Sequence, residues 1–459
     1  MSNRSSPKIP LTATERRATL SLASLFILRM LGLFLLLPVL SLYASHFADA
    51  TPLLIGLAIG AYGLTQSLLQ IPFGWLADRH GRKRIIMIGL ALFALGGMVA
   101  ALADSVLWVV IGRALQGAGA IAGAVLALVA ESVREQQRTK IMATIGVSIG
   151  LSFAASMILG PLLNGWIGVS GIFWVCTALA LAGMAITHWL IVEPPLTHHA
   201  PAAWPAFQRV LGDGQLLRLN IGAGVLHMAL TASFVAVPLA LRDSAGLAAN
   251  QHWQVYLPAL VFAMLAMVPF VIIAERQRQL KSIFLGAIVL LCISELALAQ
   301  WHSSLLVTGI LLWLFFTAFN LLEATLPSLV AKFCPPEVRA TAMSVHSTLQ
   351  FVGAFIGGAV GGWLYGCFSS TGVFVGCAFM LLLWFVLASS MRNPQALRSY
   401  LLNVGMIDAQ AASQLSERLL QIPGVAEANI VAADGIAYLK VDQRLLDEAA
   451  LQRAAGLPT

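Results

Sequence analysis

Charged residues are scarce in this chain. Asp, Glu, Lys and Arg make up 10% of its 459 residues, whereas apolar residues make up 59%. Soluble domains carry about 25% charged residues, so a water-soluble fold of this composition could not cover its surface. Apolar runs of about 20 residues recur along the chain, and each is long enough to cross a bilayer. The composition therefore predicts a protein that spans the membrane many times.

Other absences narrow the class of protein further. The apolar runs do not alternate with polar residues, which excludes a membrane β-barrel and leaves helices, whose backbone satisfies its own hydrogen bonds in lipid. The five cysteines form no C-x-x-C pair and four lie in apolar runs, so we expect neither disulfides nor metal ligation. No P-loop motif is present, which disfavours ATP hydrolysis. The polar N-terminus lacks an A-x-A cleavage site, so the first apolar run is expected to be an uncleaved span.

Twelve apolar segments are predicted to cross the membrane, and a polar, Pro-rich stretch, EPPLTHHAPAAWP, separates six from six. The segments lie near 19–45, 53–77, 85–103, 106–130, 140–167, 171–192, 217–241, 254–274, 282–299, 304–331, 340–366 and 371–391. The predicted domains are a cytoplasmic N-terminus (1–18), a six-helix half (19–192), a cytoplasmic linker (193–216), a second six-helix half (217–391), a short linker (392–398) and a cytosolic domain (399–459).

Basic residues alternate between successive loops. The N-terminus and every second loop hold Lys and Arg, whereas the intervening loops hold only Arg242. By the positive-inside rule both termini are predicted to be cytoplasmic. This placement explains the net charge of +7 without nucleic-acid binding, which is not expected.

The two halves resemble each other at an offset of roughly 200 residues. LRM at 28–30 corresponds to LHM at 226–228, and ADR at 77–79 corresponds to AER at 274–276. The shared offset predicts duplicated six-helix halves related by an axis along the membrane normal. Span 11 also carries two glycine ridges, Gly353/Gly357/Gly361 and Gly358/Gly362, and span 5 begins a similar face at Gly146 and Gly150, so both are expected to allow close helix contact.

Three motifs follow one another in the first half. The loop after span 2, GWLADRHGRKR, holds Gly74, Asp78, Arg79, Gly81, Arg82 and Lys83; span 4 holds Arg113, Gln116 and Gly117; span 5 holds Gly150, Gly160, Pro161 and Gly165. In order and placement they resemble the loop 2–3 signature, the span 4 motif and the span 5 antiporter motif of the major facilitator superfamily. The last motif departs from its usual glycine pair, which is Asn164-Gly165 here. The resemblance covers about residues 15–391.

Together with the C-terminal domain, these motifs resemble bacterial drug-efflux-like proton antiporters. The resemblance implies a twelve-helix major facilitator fold and proton-coupled efflux of hydrophobic or amphipathic small molecules by alternating access. An importer or facilitator of a small metabolite, and a membrane sensor acting through the C-terminal domain, remain alternatives. We expect no enzymatic activity and no cofactor besides the proton gradient. The expected partners are a small-molecule substrate, protons and the lipid bilayer, with a monomer in the bacterial inner membrane and a possible partner or self-contact at the C-terminal domain.

Asp78 lies near the predicted end of span 2, where an anion opposes the helix dipole, so it is expected to have a partner elsewhere. The resemblance implies a contact with the N-terminus of span 11, with Arg79 and Glu131 completing a charge cluster. This cluster is expected to act as a conformational latch that forms when the cytoplasmic side closes. Gly81 is expected to end span 2 in a left-handed conformation.

Ionisable groups within a bilayer are costly, so each marks a candidate functional site. The candidates for a proton or substrate site are Arg29, His227, Glu295, Asn320 and Glu323. Arg113 of span 4 could hold a carboxylate or tune its proton affinity, or it could be purely structural.

The other candidates also have structural interpretations. Arg29 could bind an anionic group or pair permanently with a neighbouring helix. Glu323 could exchange protons with a pathway or stay protonated in a packing hydrogen bond. His227, which corresponds to Arg29 in the repeat, could face a cavity or be a satisfied packing residue.

The C-terminal domain is predicted to have the order βαββα, a ferredoxin-like arrangement without its last strand. Its sequence IPGV at 422–425 and Gly405-Met406 resemble a heavy-metal-associated domain. Asp408 and Ala411 stand where that family has its two metal-binding cysteines. Soft-metal binding is therefore not expected, because such metals are selected by thiolates.

Overall fold

The computed structural model describes residues 12–44, 47–132, 135–191, 204–276, 279–335, 338–393, 398–405, 408–431, 435–441 and 445–454. The chain divides into two compact units, Met1–Arg392 and Asn393–Thr459. The described elements of the first unit are helices, and those of the second are three strands and two helices. Met406, part of the C-terminal resemblance, lies outside the described residues.

The described residues of the first half of the large unit form seven helices, α1 Ala13–Phe34, α2 Leu40–Ala44, α3 Pro52–His80, α4 Arg82–Ala101, α5 Val106–Ala118, α6 Ala122–Ser132 and α7 Glu135–Trp189. Helix α1 begins earlier than the predicted span at 19, because Thr12 and Glu15 form a capping box. The Thr12 Oγ1 accepts from the Glu15 amide at 3.2 Å, and Glu15 Oε2 accepts from the Thr12 amide at 2.9 Å. The pattern Thr-x-x-Glu could have revealed this start.

The second half contains α8 Trp204–Gly212, α9 Gly214–Asp243, α10 Trp253–Arg276, α11 Leu280–Trp301, α12 Leu305–Phe333 and α13 Arg339–Ser389. A short 3-10 helix, Ala249–Gln251, precedes α10. Helix α8 lies within the segment predicted as a linker. That short helix was not predicted, because the flanking prolines and histidines dominate the composition of the segment.

Ten described stretches are long and apolar enough to cross a membrane, and two of them have about twice the needed length. The stretch Thr144–Trp189 in α7 has 46 residues and α13 has 51. At a rise of about 1.5 Å per residue, each can cross a core of about 30 Å twice. One residue with a positive φ interrupts each stretch: Gly168 in α7, with a φ of 66°, and Ser369 in α13, with a φ of 57°. With each counted as two passes, the predicted twelve are observed.

One glycine ridge of α13 packs on α9. A Cβ placed on Gly353 would overlap the backbone of Gly224, and one on Gly357 would overlap the backbone of Met228. The predicted first ridge is therefore confirmed as a site of close helix contact, since only glycine lets the two backbones approach this far.

The other ridge of α13 packs on α3, which belongs to the opposite half. A Cβ on Gly358 would lie 2.5 Å from the Gly56 carbonyl oxygen and 2.8 Å from the Gly60 Cα, and Gly362 meets the backbone of Pro52 in the same way. The second ridge is likewise confirmed. The two halves of the molecule therefore touch backbone to backbone along α3 and α13.

This contact weakens toward the charged end of α3. Gln70 Nε2 still donates to Thr348 Oγ1 at 2.5 Å and to the Ser344 carbonyl at 3.2 Å. One turn later, a Cβ on Gly74 would meet nothing within 4 Å. At the opposite end, a Cβ on Gly165 of α7 would lie 2.9 Å from Asn250 Cβ. The halves are thus in contact at the end whose loops lack basic residues.

The predicted glycine face of span 5 is wrong at its first positions. A Cβ on Gly146 or Gly150 would meet nothing within 4 Å, so neither glycine makes a close helix contact here. Glycine spacing alone does not say whether a neighbouring helix lies opposite.

The small unit has the predicted order β1 Arg398–Asn403, α14 Ala409–Leu420, β2 Val425–Val431, β3 Ile436–Val441 and α15 Glu448–Ala454. Its antiparallel sheet has the strand order β1-β3-β2. Leu419, Ala437, Leu439, Val441 and Leu451 are buried in its core. Alternating apolar residues in β3 and the apolar face of α14 produce this core, as the sequence pattern indicates.

The glycine contact between α3 and α13 predicts a position-specific effect of added volume. Gly358→Leu is expected to lower stability by about 1–3 kcal/mol or to prevent assembly, because the added side chain must displace backbone. Thermal unfolding of the detergent-purified protein measures this. Gly286→Leu in α11 is the matched control, since a Cβ there would meet nothing within 4 Å; equal losses in both variants would contradict the packing account.

Candidate functional site

Span 4 is interrupted within its motif. Helix α5 ends at Ala118 and α6 begins at Ala122, while the amide of Ala120 bonds to the Ala118 carbonyl at 2.8 Å instead of continuing the α-helical pattern. The spacing of Arg113, Gln116, Gly117 and Ala120, at i, i+3, i+4 and i+7, predicts one helical face, and the break removes Ala120 from it. The sequence GAGA lowers helix propensity at this point, so the break was recognisable.

The break brings a backbone carbonyl to Arg29. Arg29 Nη2 lies 3.0 Å from the Tyr62 hydroxyl, 2.9 Å from Gln66 Oε1 and 3.4 Å from the Gly119 carbonyl. Its side chain is buried, and its Nε and Nη1 have no hydrogen-bond partner among the described residues. Three of the five N–H donors of this guanidinium are thus unused. The arrangement matches the interpretation in which Arg29 pairs with neighbouring helices and still leaves donors for an anionic group.

Arg113 lies on the other side of the same tyrosine. Its guanidinium carbon is 5.2 Å from the centre of the Tyr62 ring, and its Nη1 donates to Gln116 Oε1 at 2.9 Å. Gly117 packs directly on the Tyr62 carbonyl. Arg113, Gln116 and Gly117 therefore fix α5 against α3. Among the described residues, no carboxylate contacts Arg29 or Arg113, so these two buried cations lack an acidic partner there.

The second half holds a histidine and a carboxylate close together. His227 Nε2 on α9 lies 3.8 Å from Glu323 Oε2 on α12. His227 Nδ1 lies 3.1 Å from the Ala223 carbonyl. Because a carbonyl only accepts, Nδ1 carries the proton, and in the neutral ring Nε2 presents a lone pair to Glu323.

Two further residues on α13 join this pair. Gln350 Nε2 donates to Glu323 Oε1 at 3.3 Å, whereas Glu323 Oε2 has no hydrogen-bond partner among the described residues. His346, one turn before Gln350, is buried and both of its ring nitrogens lack such a partner. Sequence reasoning missed His346 and Gln350, although a histidine inside span 11 was a signal of the same kind as His227.

The remaining candidates of this half differ in their surroundings. Glu295 of α11 is fully buried, and its Oε1 lies 2.5 Å from Ser233 Oγ. The Ser233 hydroxyl has one proton and also bonds to the Ala229 carbonyl at 2.7 Å, so the geometry fits a neutral acid donating to Ser233. Asn320 is half-buried on α12, one turn before Glu323. Glu295 is therefore enclosed in helix packing.

Aromatic side chains from both halves meet beside the His227–Glu323 pair. The rings of Phe34 and Phe153 are 5.1 Å apart, Phe153 is 6.3 Å from Phe319, and Phe319 is 6.0 Å from His227. Phe34 lies on α1, Phe153 on α7 and Phe319 on α12. The polar pair is thus bordered by an apolar surface shared between the halves.

The loop 2–3 motif forms a compact charge cluster. Arg82 binds Glu131 through Nε at 2.8 Å and Nη2 at 2.6 Å, and its Nη2 lies 3.1 Å from Asp78. Arg79 instead lies over the Trp75 ring at 5.4 Å. The cluster expected around Arg79 is therefore built on Arg82, which is buried while Arg79 is exposed. Gly81 has the expected positive φ, 94°.

Lys83 and the span 5 motif serve other helix contacts. Lys83 Nζ donates to the His188 and Ile191 carbonyls at 2.8 and 3.0 Å, at the end of α7. A Cβ on Gly160 would lie 2.6 Å from the Leu35 carbonyl, and Pro161 follows it within α7. Gly160 thus lets α7 pack against the end of α1.

Asp408 and Ala411 of the small unit, which stand where the heavy-metal-associated domain has its cysteines, have a structural role. Asp408 is the N-cap of α14, and its Oδ1 accepts from the Ala411 amide at 2.6 Å. Within the described part of the chain, no group of three or more His, Cys, Asp or Glu residues could hold a metal. Asp408 and Ala411 therefore start a helix.

Comparison with known proteins identifies the family. Residues 22–358 and 219–404 match the Major Facilitator Superfamily model, and residues 407–455 match the YajR YAM domain. The chain is 43% identical over 449 residues to the inner membrane transport protein YajR of Escherichia coli strain K12, covering 97% of this chain and 98% of the relative.

One other relative is more distant, and one solved structure shares the fold. The multidrug resistance protein MdtH of Proteus mirabilis is 24% identical over 73% of this chain and 84% of its own. A bacterial homologue of the human lysosomal transporter Spinster, solved in an inward-facing and occupied conformation, matches with a TM-score of 0.70 at 14% identity, over 83% of this chain and 98% of that one. The chain therefore belongs to the Major Facilitator Superfamily, as a multi-pass inner-membrane transporter with a C-terminal YajR YAM domain.

Proposed function

We propose that this transporter exports hydrophobic or amphipathic small molecules in exchange for protons, and that Glu323 and His227 bind the coupling proton. The observation that carries this proposal is the proton balance between the two side chains. With Nδ1–H bound to the Ala223 carbonyl, Nε2 of neutral His227 and Oε2 of ionised Glu323 face each other without a hydrogen. One added proton converts this repulsive contact into an attractive one.

The partial exposure of the two side chains supports this proposal. The side chain of Glu323 is 41% exposed and that of His227 is 20% exposed, although both lie in the middle of membrane-spanning helices. Partly exposed polar groups at this depth are typical of a transport pathway between two halves. Ionised Glu323 favours an amphipathic cation nearby, and protonation removes that attraction, so proton and substrate compete for one site.

Three independent features support export of apolar compounds. The aromatic surface beside Glu323 suits ligands with large apolar parts. The span 5 motif at Gly150, Gly160, Pro161 and Gly165 resembles that of antiporters. The distant relative MdtH is named a multidrug resistance protein, and the same substrate class is proposed for this chain.

Replacement of the Glu323 carboxyl tests whether transport is coupled to proton binding. A thermal-shift screen of the purified protein identifies a ligand, whose flux into proteoliposomes is then measured with and without an imposed pH gradient. In Glu323→Gln the gradient is expected to have no effect on flux, because the glutamine cannot bind the proton. The matched change Glu295→Gln removes the enclosed carboxyl, and the flux of this variant is expected to respond to the pH gradient as the wild type does. A pH-dependent flux in Glu323→Gln would contradict the proposal.

A second candidate function is transport of an anionic metabolite in either direction. It is favoured by Arg29, whose buried guanidinium has three unused donors and no carboxylate partner among the described residues. Such a substrate would supply the missing acceptor and the missing negative charge. A flux that depends on Arg29 but not on Glu323 in the same assay would favour this candidate.

The loop 2–3 cluster is proposed to act as a latch in the transport cycle. In this structure Asp78 contacts only Arg82 among the described residues, and α3 and α13 have separated at Gly74. When that end closes, Asp78 would meet the N-terminus of α13, where the helix dipole favours an anion. The contact would stabilise the closed state of the predicted cytoplasmic side.

Asp78→Asn is expected to favour the state open toward the charged loops, because the neutral amide interacts less with the helix dipole. Labelling of a cysteine placed at the exposed position Ala340, near the start of α13, measures this opening. Asp104→Asn, an exposed acid at the opposite end, is the matched control. Labelling that is unchanged in Asp78→Asn, or raised equally by both changes, would argue against a latch.

The sensor alternative is tested by removing the small unit. Deletion of residues 393–459 is expected to leave flux within about twofold of the full chain, because this unit has its own core and is a separate compact body. The same proteoliposome assay measures it. Loss of transport in a truncated protein that still melts cooperatively would favour the sensor.

A further inference from the structure

A cavity of about 310 Å³ lies where the first turns of α1 meet the last turn of α7. Arg16, Arg17 and two serines line one part of it, and Leu20, Ile186 and Leu190 line the rest. It therefore combines a cationic part and an aliphatic part in one pocket. It is remote in sequence from the His227–Glu323 pair and does not depend on the proposed function.

The arginines in the cationic part of the cavity are available to bind an anionic ligand. Among the described residues, no acidic side chain lines the cavity. Arg16 is exposed, and its side chain makes no hydrogen bond or ion pair with any described residue. Arg17 is exposed as well, and its Nη2 reaches the Trp189 carbonyl at a long 3.4 Å. Among the described lining residues, two guanidiniums therefore face one small volume with no anionic side chain.

The negative end of α7 does not require these arginines. Lys83 Nζ donates to the carbonyls of His188 and Ile191 at 2.8 and 3.0 Å, so a cation already lies at the helix C-terminus, where it is favourable. The helix dipole therefore does not account for a further pair of arginines at this position.

The aliphatic part of the cavity is continuous with the surface of the membrane-spanning region. Leu20 is 62% exposed, and Leu190 and Trp189 at the end of α7 are also exposed. Tryptophan is enriched where hydrocarbon meets headgroups, which places this end of α7 at that boundary. Arg16 and Arg17 directly precede the apolar part of α1, so they lie at the same boundary.

We propose that this cavity binds an anionic phospholipid. Arg16 and Arg17 contact its phosphate, and its acyl chains lie along Leu20, Ile186 and Leu190. Basic pockets between membrane helices bind anionic headgroups in this way, because the phosphate gains charge-assisted hydrogen bonds while the chains stay in hydrocarbon. Bound there, the lipid connects the start of α1 to the end of α7 within the first half.

The full-length protein tests this through its selectivity between lipids. Native mass spectrometry measures retention of phosphatidylglycerol against phosphatidylcholine of the same chains, and thermal unfolding is followed with each lipid and with inorganic phosphate. The expected preference for phosphatidylglycerol is roughly tenfold to thirtyfold, the contribution of two basic residues near a lipid of net negative charge, because the choline cation of phosphatidylcholine offsets its phosphate. The melting temperature is expected to rise with phosphatidylglycerol and not with inorganic phosphate.

Two double variants test whether the lipid preference arises in this cavity. The double variant Arg16→Gln/Arg17→Gln is expected to abolish the preference for phosphatidylglycerol. The matched double variant Arg84→Gln/Arg209→Gln removes two exposed cations elsewhere and is expected to keep that preference. If the first pair does not fold, Leu20→Asp places a negative charge in the cavity with both arginines intact and is expected to abolish the preference too. Equal retention of both lipids by the wild type, equal losses in both arginine pairs, or a stabilisation reproduced by inorganic phosphate alone would overturn the proposal.

Discussion

The backbone contact between α3 and α13 is the constraint on which the rest of this structure depends. Glycines on both helices remove the side chains that would hold the halves apart, and the first ridge of α13 allows the same close approach to α9. Helix α13 is therefore fixed in its own half through one ridge and reaches the opposite half through the other. A smooth contact of this kind carries little side-chain interlocking, so it permits the halves to pivot while they stay together.

The positions of the buried polar side chains depend on this arrangement of α13. Gln350 and His346 lie on α13 beside the Glu323–His227 pair, so the helix that joins the halves also borders the proposed proton site. Arg29 and Tyr62 lie across the interface, and the Tyr62 ring is 6.2 Å from Phe351 of α13. A change of charge at Glu323 and a pivot about α13 therefore act on the same helix. This is the physical basis for coupling proton binding to a change in access.

Much of the architecture could be predicted because it depends on local pattern. The twelve passes follow from apolar run length, the ridges of α13 from glycine spacing, and the positive φ of Gly81 from its place after a helix. Partners could not be predicted in the same way. Whether Arg79 or Arg82 meets Glu131 depends on side-chain burial, and whether Gly150 meets a helix depends on what lies opposite. The break after Ala118, which gives Arg29 a carbonyl, has a sequence signal in the low helix propensity of GAGA, although the spacing of Arg113, Gln116 and Gly117 favours a continuous helix.

The pivot itself can be measured by spin-label distances across the two ends of the α3–α13 contact in the full-length protein. Labels at His80 and Ala340 report on the charged end, and labels at Leu53 and Cys367 report on the other; all four positions are exposed. Between about pH 5.5 and about pH 8, the range in which histidine titrates, the account predicts opposite changes, one distance growing while the other shrinks. Distances that stay fixed at both ends, or that grow together, would contradict a proton-driven pivot about this contact.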